Sequence, residues 1–233
     1  MAALVIAHRG YSTGYPENSL AAFEAAVAAG ADAIETDVRL SRDGVPVCSH
    51  DADLKRLRSR DAQIADLDAA ELEHEGVLVL VTMLAALRGR CKVMLDLKLT
   101  TEAELAAIFK VVNGLAMGEA IYAGIRALPL VPVVKQLCPE ATVLGLLRHP
   151  SELTAFYAAG GGIGRLWEAE ATRAGIEAAK QGDHRVWVTV GGRGGGSTGN
   201  ISAAGLRRLY EDGADGVIVN DPALAVAVRA ETA

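Results

Sequence analysis

The sequence is poor in the features that mark several large classes of protein. Its three cysteines are scattered and form no CxxC pair, which argues against a disulfide framework or a zinc site. Aromatic residues make up only 4% of the chain, and 23 basic residues stand against 29 acidic ones. Because nucleic-acid binding needs clustered basic residues and often aromatic stacking positions, we expect no nucleic-acid partner. We expect Cys48, Cys91 and Cys138 to be small buried side chains in a reducing compartment.

Long apolar runs are also missing. The longest, residues 77–87, is interrupted by Thr82 and is far shorter than the ~20 residues that cross a bilayer. The apolar run at residues 2–7 is too short for a secretory leader, since His8 and Arg9 follow at once. We therefore expect no integral membrane association and a cytoplasmic location. The chain is nevertheless 51% hydrophobic, which excludes disorder over most of its length.

Short β-rich runs alternate with longer runs rich in Ala and Leu along the whole chain. The predicted strands are residues 4–7, 33–40, 45–49, 93–97, 119–123, 142–147, 164–168, 185–190 and 216–219. The predicted helices are residues 18–29, 67–73, 82–88, 101–113, 124–137, 151–159, 170–180, 203–212 and 222–230. Such alternation indicates a parallel sheet covered by helices, and about eight units predict an α/β fold of the (β/α)8 TIM-barrel type. No linker divides the chain, so we expect a single domain over residues 1–233.

Ionisable residues stand at the ends of several predicted strands. Glu35 and Asp37 lie two residues apart in one strand and therefore point to the same face. Acids inside a buried parallel strand are costly unless a cation compensates them; the alternative is that both are surface charges at a solvated strand end. Three further pairs close other runs: His8 and Arg9, His50 and Asp51, and Asp96 and Lys98. In a barrel the carboxyl ends of the strands converge on the face that carries the active site.

The residue types at these strand ends suggest a metal and a phosphate. Glu35, Asp37 and Asp96 would form a site with only oxygen ligands, which Mg²⁺ or Ca²⁺ prefers. Arg9 and Lys98 add positive charge beside it, so the bound group should be an anion such as phosphate.

Two histidines complete the predicted cluster. Zinc and copper prefer imidazole ligands, whereas the hard cations expected here do not, so His8 and His50 stay free for other work. Their side chains ordinarily titrate near neutral pH, which suits a general acid and a general base.

Residues 1–56 contain a series of short motifs in a fixed order. They are His8-Arg9-Gly10, Pro16-Glu17-Asn18-Ser19 with Phe23, residues 30–38, residues 43–47, and His50-Asp51 with Leu54 and Arg56. Near the other end, residues 213–222 supply a strand that closes with Asp-Pro. In these segments the chain resembles the glycerophosphodiester phosphodiesterases, which are metal-dependent TIM-barrel hydrolases.

The resemblance implies an activity: hydrolysis of a glycerophosphodiester to glycerol 3-phosphate and an alcohol, with Mg²⁺ or Ca²⁺, or alternatively Mn²⁺. It leaves open whether water attacks the phosphorus directly or the adjacent glycerol hydroxyl attacks first. Two other functions also stay open, a lysophospholipid substrate cleaved as by phospholipase D and a non-catalytic barrel that binds phosphorylated ligands. The implied roles are metal ligation by Glu35, Asp37 and Asp96, acid/base catalysis by His8 and His50, phosphate binding by Arg9 and Lys98, and shaping of the mouth by Glu17 and Asn18.

The chain departs from the family pattern in three places. The usual Glu-x-Lys is Asp96-Leu97-Lys98 here, which shortens the third ligand and is the only support for a non-catalytic barrel. The segment between Asp51 and Asp96 is short, so the family's inserted subdomain should be reduced around residues 52–80. The family's usual Trp-Thr-Val-Asn is Trp187-Val188-Thr189-Val190 here. The register of Trp187 therefore leaves two interpretations, a residue of the active-site pocket or a core aromatic.

A glycine-rich segment follows the strand that contains Trp187. Gly194-x-Gly196-x-x-Gly199 formally matches the dinucleotide-binding fingerprint, but too few strands follow it to build that fold. We predict instead that residues 191–199 form a loop over the active-site mouth.

Overall fold

Parallel strands close into a barrel in the computed structural model, which describes residues 2–193 and 197–232. The strands are β1 (Leu4–Ala7), β2 (Ala33–Leu40), β3 (Pro46–Cys48), β4 (Lys92–Leu97), β5 (Ile121–Ile125), β6 (Thr142–Gly145), β7 (Ile163–Trp167), β8 (Arg185–Thr189) and β9 (Gly216–Val219). All except β3 pair in parallel in the order β1-β2-β4-β5-β6-β7-β8-β9, and β9 pairs with β1. The predicted TIM barrel is confirmed.

Helices cover the outside of the barrel. They are α1 (Leu20–Ala28), α2 (Lys55–Arg58), α3 (Ala69–His74), α4 (Leu80–Leu87), α5 (Glu102–Gly114), α6 (Leu130–Leu137), α7 (Leu153–Ala158), α8 (Arg173–Lys180), α9 (Ala203–Glu211) and α10 (Pro222–Thr232). Four begin at a Ser or Thr whose hydroxyl accepts a backbone N–H of the first turn. Within the part of the chain that the structure describes, no helix is both long and apolar enough to span a bilayer.

The helix predicted over residues 124–137 begins later than expected. Residues 124 and 125 complete β5, and α6 starts at Leu130, directly after Pro129. The proline ring holds φ near the helical value but disfavours helix in the residue before it, so it sets this start.

The prediction treated residues 45–49 as one of the barrel strands. In the structure, β3 lies outside the closed ring of parallel strands and runs antiparallel to β2. Val38 pairs with Cys48 and Leu40 with Pro46. The connection turns through Gly44, whose φ of +77° lies in the left-handed region. A parallel return would need a crossover of about a dozen residues, and this link is far too short. The hairpin therefore brings the chain back down to the barrel mouth, and it delivers His50 there.

The barrel interior is filled by apolar side chains below the mouth. Trp187 is fully buried and packs edge-to-face on Tyr122, with ring centroids 4.6 Å apart. A Cβ on Gly216 would lie 2.7 Å from the Trp187 indole, so the glycine makes room for the ring. Of the two interpretations of Trp187, the core aromatic is correct and the pocket residue is wrong. The other members of this interior cluster are Ile6, Ala33, Met94, Leu144, Leu146, Ile163 and Ile218.

The segment between β3 and α4 forms a small annex at the edge of the barrel. It consists of α2, a 3-10 turn at Ile64–Asp66 and α3. Leu54, Ile64 and Leu72 are buried in it and pack together with Val47 of β3. A reduced insertion around residues 52–80, relative to the family, stays a prediction.

Candidate active site

A cavity of about 550 Å³ opens at the carboxyl ends of the barrel strands. This is the end where active sites of such barrels are built. The predicted site residues that line it are His8, Arg9, Glu17, Glu35, Asp37, His50, Asp96 and Lys98. The structure thus brings these residues together, while their catalytic and binding roles stay predictions.

Three buried carboxylates form the floor of one side of the cavity. Glu35 and Asp37 project from β2, and Asp96 is the register partner of Asp37 on β4. One oxygen of each lies within 4.8 Å of the others. Asp96 Oδ1 is buried and accepts no hydrogen bond. An all-oxygen set with an unsatisfied lone pair fits a hard divalent cation, so these residues could hold Mg²⁺ or Ca²⁺.

Glu35 and Asp37 differ in their charge environment although they share a strand face. Burial and the charges of Asp37 and Asp96 raise the pKa of Glu35 well above its ordinary value. Burial alone would also raise the pKa of Asp37, but Lys98 and Arg9 hold it well below its ordinary value. Lys98 Nζ lies 2.8 Å from Asp37 Oδ1, and Arg9 Nε lies 3.2 Å from Asp37 Oδ2. Asp37 is therefore charged, whereas a further cation beside Glu35 would favour its charged form.

Lys98 lies between two of the carboxylates. Its Nζ is 2.8 Å from Asp37 and 2.6 Å from Asp96. Burial lowers its pKa, but the two carboxylates outweigh burial and raise the pKa above the ordinary lysine value. Arg126 adds a second contact of 2.5 Å to Asp96 Oδ2. Both cations contact Oδ2, whereas Oδ1 accepts no hydrogen bond.

His8 is held in one tautomer by a side chain from the far end of the sequence. Its Nδ1 lies 2.7 Å from Asn220 Oδ1. Asn220 Nδ2 donates to Thr198 O and Asn200 Oδ1, so its Oδ1 is the acceptor and His8 Nδ1 carries the proton. Burial, with the charge of Arg9 second, lowers the pKa of His8. His8 is therefore a neutral imidazole at pH 7 with its lone pair on Nε2.

His50 has a charged partner instead. Its Nδ1 lies 2.8 Å from Asp51 Oδ1, and Asp51 Oδ2 accepts from Arg56 Nε at 2.6 Å. The backbone carbonyl of His50 accepts two hydrogen bonds from the Arg39 guanidinium. Burial acts to raise the pKa of Asp51, but hydrogen bonds from His50 and Arg56 lower it. The contact with Asp51 therefore orients the His50 ring.

Glu17 and Asn18 have different positions despite being adjacent. Glu17 lies at the mouth, where it pairs with Arg9 and Arg56. Asn18 is buried and does not line the main cavity; its Nδ2 donates to Asp37 Oδ2 at 3.1 Å. Asn18 therefore orients the Asp37 carboxylate from a buried position outside the cavity and does not form part of the mouth surface.

Several cavity residues were not predicted from the sequence. Asn220 follows β9 directly, in the segment where only the Asp-Pro pair was noted. Arg165 is a charged residue inside the buried strand β7, the same signal that pointed to Glu35 and Asp37. The other cavity residues that the prediction missed include Arg126 and Trp167. Of the predicted mouth loop, Thr198 lines the cavity, while Gly194 and Gly196 lie outside the described residues.

Sequence comparisons connect the first part of the chain to one family. Residues 8–103 match the model of the glycerophosphoryl diester phosphodiesterase family. A probable glycerophosphodiester phosphodiesterase 1 of Mycobacterium tuberculosis (strain H37Rv) is 46% identical over 70 residues, or 30% of this chain and 26% of that protein. A glycerophosphodiester phosphodiesterase of Caldanaerobacter subterraneus is 44% identical over 73 residues, or 31% and 30% of the two chains. The matched segment thus covers less than a third of the length of these relatives.

Solved structures extend the similarity to the whole barrel. A glycerophosphodiester phosphodiesterase from Agrobacterium tumefaciens superposes with a TM-score of 0.79 at 26% identity, covering 98% of this chain and 99% of that one. An Oleispira antarctica phosphodiesterase in complex with sn-glycerol 3-phosphate has a TM-score of 0.82 at 21% identity, covering 97% and 96%, and shares the fold. On its motifs, its barrel and these similarities, the chain is similar to the glycerophosphoryl diester phosphodiesterases, whose family model it matches over residues 8–103.

Proposed function

We propose that this protein hydrolyses small glycerophosphodiesters to glycerol 3-phosphate and an alcohol, with a divalent cation as cofactor. The observation that carries the proposal is a buried triad of carboxylates at the mouth of the barrel, beside two histidines with different partners. The match of residues 8–103 to the family model supports the same reaction. A cytoplasmic location stays a prediction.

Glu35, Asp37 and Asp96 would hold the cation, with Mg²⁺ or Ca²⁺ favoured by their oxygen ligands and Mn²⁺ as a further candidate. When bound, a divalent cation supplies positive charge that binds phosphate oxygens and offsets the charge developing on them. Arg9 and Lys98 border the triad and are positively charged, so they would bind the remaining phosphate oxygens.

The partners of the two histidines assign the base and the acid. His8 is neutral with its lone pair on Nε2, so it would take the proton from the attacking hydroxyl, whether of water or of glycerol. His50 would be the acid, because its Nδ1 lies against Asp51 and its Nε2 is the ring nitrogen left to give a proton to the oxygen of the departing alcohol. The P–O bond to that oxygen breaks as the new P–O bond forms, and the proton prevents release of an alkoxide.

A lysophospholipid substrate is the second candidate. A rat protein named lysophospholipase D GDPD1 is 42% identical to this chain over 67 residues, which cover 29% of this chain and 21% of that protein. The same triad and histidines would then release lysophosphatidate. The identity of the phosphorylated product separates this activity from the first.

The test is metal removal and replacement. The protein is stripped with chelator and incubated with glycerophosphocholine and glycerophosphoethanolamine, and then Mg²⁺, Ca²⁺ or Mn²⁺ is added separately while glycerol 3-phosphate is assayed. We expect at least one cation to restore product in the wild type and none to do so in E35Q, D37N or D96N. D61N is the matched control, because Asp61 is 79% exposed in its side chain and pairs with Lys55 outside the cavity. Folded wild-type protein that forms no product with any cation would contradict the proposal and leave binding of phosphorylated ligands as the alternative.

A further inference from the structure

A buried arginine faces the carboxylate triad from the other side of the barrel. Arg165 lies in β7 and lines the cavity. In the closed ring of strands, β7 is four positions from β2 in either direction. Arg165 therefore lies opposite Glu35 and Asp37, across the mouth.

Arg165 has few partners for a charged group that is only 7% exposed. Its Nη2 donates to Leu147 O at 3.2 Å, while its Nε is buried without a hydrogen-bond partner. Among residues 2–193 and 197–232 no carboxylate lies within ion-pair distance of it; the nearby Glu170 pairs with Arg193 instead. Burial lowers its pKa to about 10, so the guanidinium is still charged at neutral pH. Buried cations without a counter-ion are rare, because desolvation is costly.

Two more arginines lie on the same side of the barrel as Arg165, and one of them, Arg126, lines the cavity. Arg126 follows β5 and reaches Asp96. Arg193 follows β8 and lies 5.9 Å from the ring centroid of Trp167. Arg126 pairs with Asp96 and Arg193 with Glu170, so among these three arginines Arg165 is the one without a carboxylate partner in the described part of the chain.

The substrate has one part that can carry the matching charge. The scissile phosphate would have its own partners in Arg9, Lys98 and the cation that the triad would hold, and the glycerol part offers only hydroxyl groups. The alcohol part is the variable one, and a guanidinium fork matches a phosphate or carboxylate. A quaternary ammonium group would need an open aromatic face, but the Arg165 guanidinium already lies 4.5 Å from the centroid of Trp167.

We propose that Arg165 binds a phosphate or carboxylate on the alcohol part of the substrate, so that glycerophosphodiesters with an anionic alcohol are preferred. This inference rests on the proposed function and deepens it. Arg165 is then a specificity residue, whose unpaired Nε and buried charge are satisfied when the substrate binds.

Matched substrate pairs test the preference. Glycerophosphoinositol 4-phosphate differs from glycerophosphoinositol by one phosphate, and glycerophosphoserine differs from glycerophosphoethanolamine by one carboxylate. We expect kcat/KM to favour the anionic member of at least one pair by about tenfold, which corresponds to about 1.4 kcal/mol. The pair that shows the preference tells phosphate from carboxylate.

Variants locate the preference at Arg165. R165Q should lower the anionic-to-neutral ratio toward one, and R165K, which keeps the charge but loses the fork, should give an intermediate ratio. R185Q is the control, because Arg185 is exposed at the first position of β8, at the opposite end of the barrel; it should keep the wild-type ratio.

A binding measurement gives a second readout that does not depend on turnover. Trp167 fluorescence is titrated in chelator-treated protein with glycerophosphoinositol 4-phosphate and with glycerophosphoinositol. We expect saturable quenching by the first at lower concentration, and loss of that difference in R165Q. W167F identifies the signal as that of Trp167.

The outcomes separate this inference from the proposed function. Turnover of both pairs without an anionic preference overturns the inference alone. An equal fall for all four substrates in R165Q also overturns it, since Arg165 would then act on a part that the substrates share. If the wild type hydrolyses none of them, the proposed function fails, and the fluorescence titration decides whether Arg165 binds the added anionic group.

Discussion

Replacing Glu35 with Gln should stabilise the protein in the absence of metal. Glu35 is only 2% exposed, and its Oε2 accepts a hydrogen bond of 2.8 Å from the Arg9 backbone N–H. Gln keeps this acceptor and the side-chain volume but removes the charge that Asp37 and Asp96 repel. Because the folded protein raises the pKa of Glu35, its stability falls as pH rises from the unfolded pKa, about 4.3, toward the folded value. E35Q lacks this loss, so its advantage should grow with pH.

The sizes of two changes in stability can be worked out: the gain of E35Q without metal, and the gain of the wild type when a cation binds. Relieving a destabilising group at an active site yields about 0.5–2 kcal/mol. For a domain of this size 1 kcal/mol moves Tm by about 2–4 °C, so E35Q should melt about 1–8 °C higher without metal. In the wild type, a cation at a hundred times its Kd should add about 2.7 kcal/mol, or about 5–11 °C. E35Q removes one of the three proposed cation ligands and should lose most of that second shift.

Thermal melts of chelator-treated protein at pH 6 and pH 8, with and without Mg²⁺ or Ca²⁺, measure both quantities. D61N is again the control, and it should show the wild-type melt and the wild-type cation shift. The reasoning is refuted if metal-free E35Q melts below the wild type at pH 8, or if a cation shifts both proteins equally.

The remaining predictions concern the two histidines. H8Q and H50Q should each lower kcat by about 10²–10⁴-fold. The control is H74Q, in an exposed position on α3, which should keep the wild-type rate. A near-normal kcat in H8Q or H50Q contradicts the acid/base assignment. Because the pKa of His8 is lowered and a base is lost as pH falls through its pKa, the acid limb of kcat/KM should lie below about pH 6.5. The hydrogen bond that His8 Nδ1 donates to Asn220 Oδ1 raises the pKa of His8. N220A should therefore move the acid limb to lower pH and reduce kcat more than it changes KM. An unmoved limb would assign it to another group.

The residues of the triad could be predicted from the sequence for a simple physical reason. Side chains alternate along a strand, so the spacing of Glu35 and Asp37 fixes a shared face. A parallel barrel also fixes which end of every strand carries the site. Asp96 and Lys98 obey both rules, and the structure places all four side chains at the mouth.

The direction of strand β3 and the contacts between side chains on different barrel strands could not be predicted in the same way. The run at residues 46–48 has the composition of a barrel strand, and only the short link before it excludes a parallel return. Trp187 alternates onto the barrel interior like Thr189, but it lies below the mouth, and its depth depends on the space left by Gly216 on the next strand. Arg165 carried the same signal as Glu35, yet a single charge in a strand does not say what lies opposite it.

The hydrogen-bond partners of the two histidines come from different parts of the sequence, and this decides whether a sequence motif includes both members of each pair. His50 receives its carboxylate from the next residue, Asp51, within the hairpin segment. His8 receives its acceptor from Asn220, which is 212 positions away and reaches it only because β9 pairs with β1. Residues 8–103, which match the family model, hold both histidines and the whole triad but not Asn220. The proposed acid, His50, and its partner Asp51 are therefore adjacent in the sequence, whereas the tautomer of the proposed base, His8, depends on closure of the entire barrel.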